Sequence, residues 1–223
     1  MRRKKASARS PSRGGRPSLE ESGRLADRIL DAATELFLAE GYGATSIEQV
    51  ARLARVSKRT FYSRFDDKAA LFGAVLHRIV EGLKPAGEVP LIEGRNLAAI
   101  LQRLAELILR AALAPQAIAV HRLIVGESAR FPALAAAVNR NAATEEGVAL
   151  IASLLEREAR AGTIKLDDPH FAASHFLHMV ITVPQRVAMG LEKPMTEAEL
   201  RKWPGKVVRL FLEGVGSRRS PIR

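Results

Sequence analysis

Apolar residues recur along this chain with the 3.6-residue period of packed helices, almost from end to end. Leu25, Ile29, Leu30, Ala33, Leu36 and Phe37 predict a helix over Arg24–Ala39 that buries one face, with Gly41 as its C-terminal stop. Ile47, Val50, Ala51 and Ala54 repeat the pattern over a much shorter run, about Ser46–Leu53, and Thr45 with Glu48 has the spacing of a capping box. Ser57, an N-cap residue type, opens a third helix expected to reach about Phe65. In it Phe61 and Phe65 form an apolar row, Arg59 and Ser63 point away, and Lys58 and Tyr62 flank the outward side. A fourth helix, about Lys68–Leu83, carries Leu71, Phe72, Val75, Leu76 and Ile79; Asp67 can cap it, and Gly82 and Pro85 end it. Two short helices around a tight turn, the second polar on its outer face, make the shape that enters the major groove of DNA.

Beyond Pro85 the segment KPAGEVPLIEGRN reads as a loop. Helices are then expected at Asn96–Ala114, Gln116–Ala129, Phe131–Ala161 (with room for a break), Pro169–Gly190 and Pro204–Val215. Thr196 with Glu199 makes a capping box for a short helix ahead of Trp203. With no convincing strand run, the fold class is all-α, with nine or ten helices. FAASHFLHMVITVPQRVAM is hydrophobic nearly all round, and VVRLFLEGV forms the last helix. A helix apolar on all sides is buried on all sides. Near the end of a modest domain that points to a subunit interface, the alternative being helices that complete their own core. Pro184 is expected to kink the first of the pair.

The run GYGATSIEQVARLARVSKRTFYSRFDDKAALF resembles the DNA-binding domain of the TetR family of transcriptional regulators, over roughly Arg24–Leu83 and without insertion. The motif that carries it is A-x-x-A-x-V-S, then T-F-Y-x-x-F, then a Lys three residues later. The turn departs from the family's common Gly: it holds Arg55, which in the left-handed conformation costs roughly 1 kcal/mol or more relative to Gly. Farther on, APQAIAVHRLIVGESARFPALAAAV resembles the ligand-binding domain of the AefR-like branch through R-L-x-x-x-E-x-x-R-F-P, Arg122 to Pro132. The Arg, Glu and Phe-Pro of that motif are expected to be structural. The resemblance implies an amino-terminal three-helix helix-turn-helix domain, linked by the fourth helix to an all-helical ligand-binding and dimerisation domain. It also implies a four-helix bundle across a two-fold axis, built from the last helix pair. The chain then divides into a basic arm (1–23, disordered when free), a DNA-binding domain (24–83) and a ligand-binding and dimerisation domain (84–223).

By the same resemblance, Lys58, Arg59, Tyr62 and Ser63 occupy the DNA-contact face, with Ser57 and Arg64 on the same surface. Lys58 and Arg59 are the expected base readers, since both can donate to guanine O6 and N7, Arg bidentately. Tyr62 and Thr60 are expected to hold phosphates. Thr45 and Ser46 offer hydroxyls and amides to another, and Lys68 does so from the start of the fourth helix. Glu48 either accepts from cytosine N4 or completes the capping box, which is the favoured reading.

Charge strengthens this picture. The net charge is +11, and residues 1–23 hold seven basic side chains against Glu20 and Glu21. Arg13 and Arg16 in this arm are candidates for minor-groove or phosphate contact, beside the plainer reading of a solvated basic tail. There is no Cys, hence no disulfide framework or thiolate metal site, and a reducing cytoplasm is the expected home. No apolar run approaches the ~20 residues of a membrane span, so no membrane partner is expected. His175 and His178 are three apart on one helical face, but no carboxylate or third His joins them at regular spacing, so no metal site is expected. Nothing resembles a nucleophile elbow, a phosphate-cradling Gly-rich loop or a Ser/His/Asp arrangement; no enzyme and no cofactor is expected.

A small, largely apolar ligand is expected between the fourth helix and the helices around Leu101–Ile108, Ile118–Ile124 and Val148–Leu154, with His77, Leu104, His121 and His178 among its contacts. The expected function is a homodimeric regulator that occludes a promoter by binding operator DNA and leaves it when the ligand binds. An activating or metal-responsive regulator is one alternative; a basic protein binding DNA without sequence preference is another.

Overall fold

Most helices of this chain begin where a short polar side chain can take up an amide that the helix leaves unsatisfied. The computed structural model describes residues 19–82, 96–139 and 142–216, and among them finds ten helices and no strand. They are α1 (Leu19–Glu40), α2 (Ile47–Leu53), α3 (Lys58–Tyr62), α4 (Lys68–Gly82), α5 (Leu97–Ala112), α6 (Pro115–Glu127), α7 (Pro132–Asn139), α8 (Ala142–Arg160), α9 (Pro169–Ala188) and α10 (Glu197–Gly216). Ser57 accepts from the Thr60 amide at 3.0 Å, Asp67 from Ala70 at 2.7 Å, Asn96 from Ala98 at 2.9 Å and Asp168 from Phe171 at 2.9 Å. Thr196 and Glu199 form the expected reciprocal box at the start of α10.

Several boundaries differ from expectation. α1 begins at Leu19, ahead of Arg24, so residues 19–23 belong to this helix; the rest of the basic arm, with Arg13 and Arg16, lies outside the described residues. α3 stops at Tyr62 rather than Phe65, because Ser63 caps it and turns its hydroxyl back to the Thr60 carbonyl at 2.7 Å. The long run after Phe131 is two helices, α7 and α8. The short helix expected before Trp203 and the last helix are one: α10 runs through Pro204, just as α9 runs through Pro184.

Two hydrophobic cores organise these elements. The first joins Ile29, Ala33 and Phe37 of α1, Val50 of α2, Phe61 of α3 and Leu71, Phe72, Val75 and Ile79 of α4. It also takes in Val120, Leu123 and Ile124 of α6, Phe131, and Leu134 of α7. The packing boundary therefore does not follow the expected division at residue 83: the end of α6 and α7 pack into the amino-terminal core. The second core is built from α5, α8, α9 and α10, around Leu101, Leu104, Ile151, Leu155, Phe176, Val180 and Phe211. α4 bridges the two, packing on α1, α6, α7 and α8.

Candidate nucleic-acid interface

Phe61 places the recognition helix. It is fully buried, meets Phe65 at 5.7 Å and Tyr62 edge-on at 5.4 Å, and so turns the opposite face of α3 to solvent. Truncating such a side chain to Ala typically costs about 3–5 kcal/mol. On the outer face Lys58, Arg59, Tyr62 and Ser63 are exposed, Tyr62 by 51%. The turn before the helix needs a left-handed residue, and Arg55 supplies it at φ 55°. Its side chain is exposed.

The start of α2 differs from expectation by one residue. Ser46 is the N-cap, accepting from the Gln49 amide at 3.2 Å while Gln49 Oε1 accepts from the Ser46 amide at 2.7 Å. Thr45 is buried, and its hydroxyl donates to the Gly41 carbonyl at 2.8 Å. The hydroxyl and amide expected to be offered to phosphate at Thr45, and the amide at Ser46, are thus occupied. Glu48, freed from capping, forms an ion pair with Lys58 across the turn. Ser57 and Thr60 are joined through their hydroxyls at 2.8 Å, and Arg64 is half-buried.

Lys68 also differs from the expected phosphate contact. Its ammonium turns inward and donates to the carbonyls of Tyr42 at 2.8 Å and Thr45 at 2.9 Å, with Gly43 at 3.4 Å. It lies 4.5 Å from the centre of the Tyr42 ring. Burial pushes its pKa down, and the Glu127 carboxylate pushes it back up. Tyr42 stacks on Phe37 at 5.6 Å and meets Phe72 at 5.7 Å and Phe131 at 5.4 Å, contacts worth about 0.5–1.5 kcal/mol each beyond burial. Burial raises the Tyr42 phenol pKa first, and the Asp67 and Glu127 charges add to it.

The expectation of structural roles for the AefR-like motif takes a specific form. Glu127 accepts from the Tyr42 amide at 2.9 Å and from the Gly43 amide at 2.6 Å, while Arg122 donates to the Ala188 carbonyl at 2.9 Å. Glu127, at the end of α6, and Phe131, after the turn that follows it, reach the α1–α2 loop together, which sequence reasoning missed because the loop lies more than 80 residues earlier.

The four expected ligand contacts lie on four helices and differ in exposure. His77 is on the exposed side of α4, Leu104 is buried in the second core, His121 is half-buried on α6, and His178 is exposed on α9. Burial pushes the His121 pKa down. The aliphatic side chains expected to line a pocket, among them Leu101, Leu104, Ile151 and Leu154, fill the second core instead. A hollow of about 580 Å³ lies elsewhere, between α5 and α10, open to solvent and lined by Ala98, Gln102, Val208, Arg209, Leu212 and Glu213 among others.

His175 and His178 each set Nδ1 against a carbonyl one turn back, Phe171 at 2.8 Å and Ser174 at 2.7 Å. No group of three potential metal ligands occurs among the described residues, and no helix there is long and apolar enough to cross a membrane. α9 and α10 leave Phe171, Val183 and Leu210 exposed, Leu210 by 61%.

An amino-terminal helix-turn-helix on a larger helical body defines a class of DNA-binding protein, and comparison with known proteins gives the family. Residues 29–75 match bacterial regulatory proteins of the tetR family, and residues 99–214 match the AefR-like transcriptional repressor carboxy-terminal domain. This chain belongs to the TetR family.

Among solved structures it is similar to the flavonoid-responsive regulator FrrA, with 31% identity, a TM-score of 0.70, and 88% of this chain and 100% of FrrA covered. A TetR-family regulator of Mesorhizobium loti MAFF303099 gives 31% identity and a TM-score of 0.68, covering 88% of this chain and 98% of that one. TcmR of Streptomyces glaucescens, an HTH-type transcriptional regulator, is 38% identical over 74 residues. That match spans 30% of this chain and 33% of TcmR.

Proposed function

We propose that this protein is a cytoplasmic, two-fold dimeric repressor that binds operator DNA through α3 and is released by a small, largely apolar molecule. The observation that carries the reading is the geometry of α3. Phe61 is fully buried behind the helix, while Arg59 and Tyr62 stand exposed on its other side. A helix so anchored can present donors to base edges in the major groove, and Arg59 is the reader that can bond guanine bidentately. Lys58 joins it by exchanging Glu48 for DNA.

Dimerisation supplies a second recognition helix, as a two-fold operator requires. The apolar side chains left exposed on α9 and α10 support a seam there. The repressor sign is supported by the match to the AefR-like repressor carboxy-terminal domain, and the ligand class by the similarity to the flavonoid-responsive regulator FrrA and by the aliphatic second core. A guest entering that core would tip α4, which packs against both cores.

Footprinting on DNA flanking the protein's own gene, with and without a ligand found by thermal-shift screening, tests the reading. The expected result is a protected palindrome that the ligand releases, with operator DNA weakening ligand binding by the same factor. Equal ligand affinity with and without operator would contradict release by that ligand.

A further inference from the structure

The loop at residues 41–45 is held from outside the helix-turn-helix by the end of α6. Glu127, the last residue of α6, accepts both successive loop amides, Tyr42 and Gly43. Phe131 closes over the same loop, its ring 5.4 Å from that of Tyr42.

The two loop glycines fit this contact closely. Gly43 does not have a positive φ, yet a Cβ there would lie 2.8 Å from Phe131 Cζ, so the approach of the neighbouring ring is what requires glycine. Gly41 has φ +88°, and a Cβ on it would run into Glu127 Oε1. On the other side Lys68 ties the Tyr42 and Thr45 carbonyls to the start of α4. The loop then passes directly into Ser46, the N-cap of α2, and α2 is packed on α3.

We propose that Glu127 and Phe131 are positioning residues for DNA binding: the end of α6 fixes the 41–45 loop, and through it the α2–α3 pair, in the arrangement that reads bases. Movement of α6, which also touches α5 of the second core, is then felt at the DNA by a route separate from tilting of α4. The proposal rests on the DNA-binding reading above and needs no ligand to be identified. Base readout depends on placing a few side chains accurately, whereas attraction to the phosphate backbone tolerates misplacement. Loss of the contact therefore lowers specific binding and spares non-specific binding.

The test uses full-length protein and two duplexes of equal length. One is selected by the wild type from a random-sequence pool, and the other is its shuffled counterpart. Glu127→Gln keeps the side-chain shape and one accepting oxygen; Phe131→Leu removes the ring without adding charge. Each variant is expected to bind the selected duplex tenfold or more weakly, to bind the shuffled duplex within twofold of wild type, and to keep the same salt slope. Hydrogen exchange at the Tyr42 and Gly43 amides should accelerate in Glu127→Gln. Undiminished affinity for the selected duplex in both variants overturns this proposal alone, as does an equal loss on both duplexes, which marks general damage to the domain. A wild type that prefers no duplex overturns the operator reading and this proposal with it.

Discussion

Lys58, the first residue of α3, is paired with Glu48 of α2, so the face proposed to meet DNA carries its own competitor for one of its cations. The Glu48 carboxyl is held below its usual range, chiefly by the hydrogen bond from Lys58, then by a backbone hydrogen bond and the Lys58 charge. A depressed carboxylate contributes above its unfolded value and ceases to as pH falls through the folded one. The pair is therefore intact at neutral pH and opens on acidification. Glu48→Gln is expected to strengthen binding to any duplex and to steepen the salt slope by about one, since Lys58 no longer has to leave a carboxylate to reach the DNA. Carboxyl NMR titration offers the second check: in Lys58→Ala the Glu48 midpoint should climb towards its ordinary value. An unmoved midpoint would mean that the pair does not form in solution.

Arg59 stands on the same face with its side chain exposed. Arg59→Ala is expected to relax preference at one base pair by roughly 1–3 kcal/mol. Competition binding against single-base variants of the selected duplex measures this; a uniform loss at all variants would make Arg59 a phosphate contact instead.

Lys68 is expected to behave as a structural residue. Lys68→Met keeps the stem and removes the ammonium that holds the Tyr42 and Thr45 carbonyls. Charged hydrogen bonds of this kind contribute about 1.5–3 kcal/mol, and urea unfolding should fall by that order. The salt slope of DNA binding should stay at the wild-type value. A slope flatter by one unit would return Lys68 to the phosphate role.

At Arg55 the backbone is left-handed, at φ 55°. Arg55→Gly removes that strain but adds unfolded-chain entropy, so a net gain of about 0.5–1 kcal/mol is expected in urea unfolding, with an unchanged m-value. A loss of stability would show that the Arg55 side chain contributes more to the fold than its backbone costs.

Leu210 is 61% exposed on α10 and is expected to be covered by a second copy. Leu210→Glu should leave the protomer folded and halve the molar mass by light scattering, because an unpaired charge is costly to bury. Wild-type protein of 24.3 kDa at micromolar concentration would contradict the dimer.

Periodicity made the helices legible because each amphipathic face in the sequence became a face of one of the two cores. Ser57, Asp67, Asn96 and Asp168 cap the helices that follow them, as their residue types suggest. The start of α2 was ambiguous for a physical reason. Thr45 with Glu48 and Ser46 with Gln49 both satisfy the box spacing, and only burial of Thr45 beneath the loop decides between them. Lys68 looked like a phosphate ligand because nothing local reveals the Tyr42 ring beside it. Leu104 could not be told from a pocket-lining residue, because helical spacing gives a side chain's face but not which of two cores that face meets. Glu127 was the least legible of all, since its partners lie 84 and 85 residues earlier in the chain.

Sequence preference at fixed salt separates an operator binder from a basic protein that coats any DNA. A random-sequence pool is selected with wild-type protein, and the dissociation constants of the recovered duplex and its shuffled counterpart are compared at one physiological salt concentration. The expected outcome is a two-fold palindrome, half-sites separated by about one helical turn or a multiple of it, and a preference of roughly 10³-fold or more. A ratio near one, with both affinities falling together as salt rises, would contradict it and leave a basic protein that binds DNA without reading it.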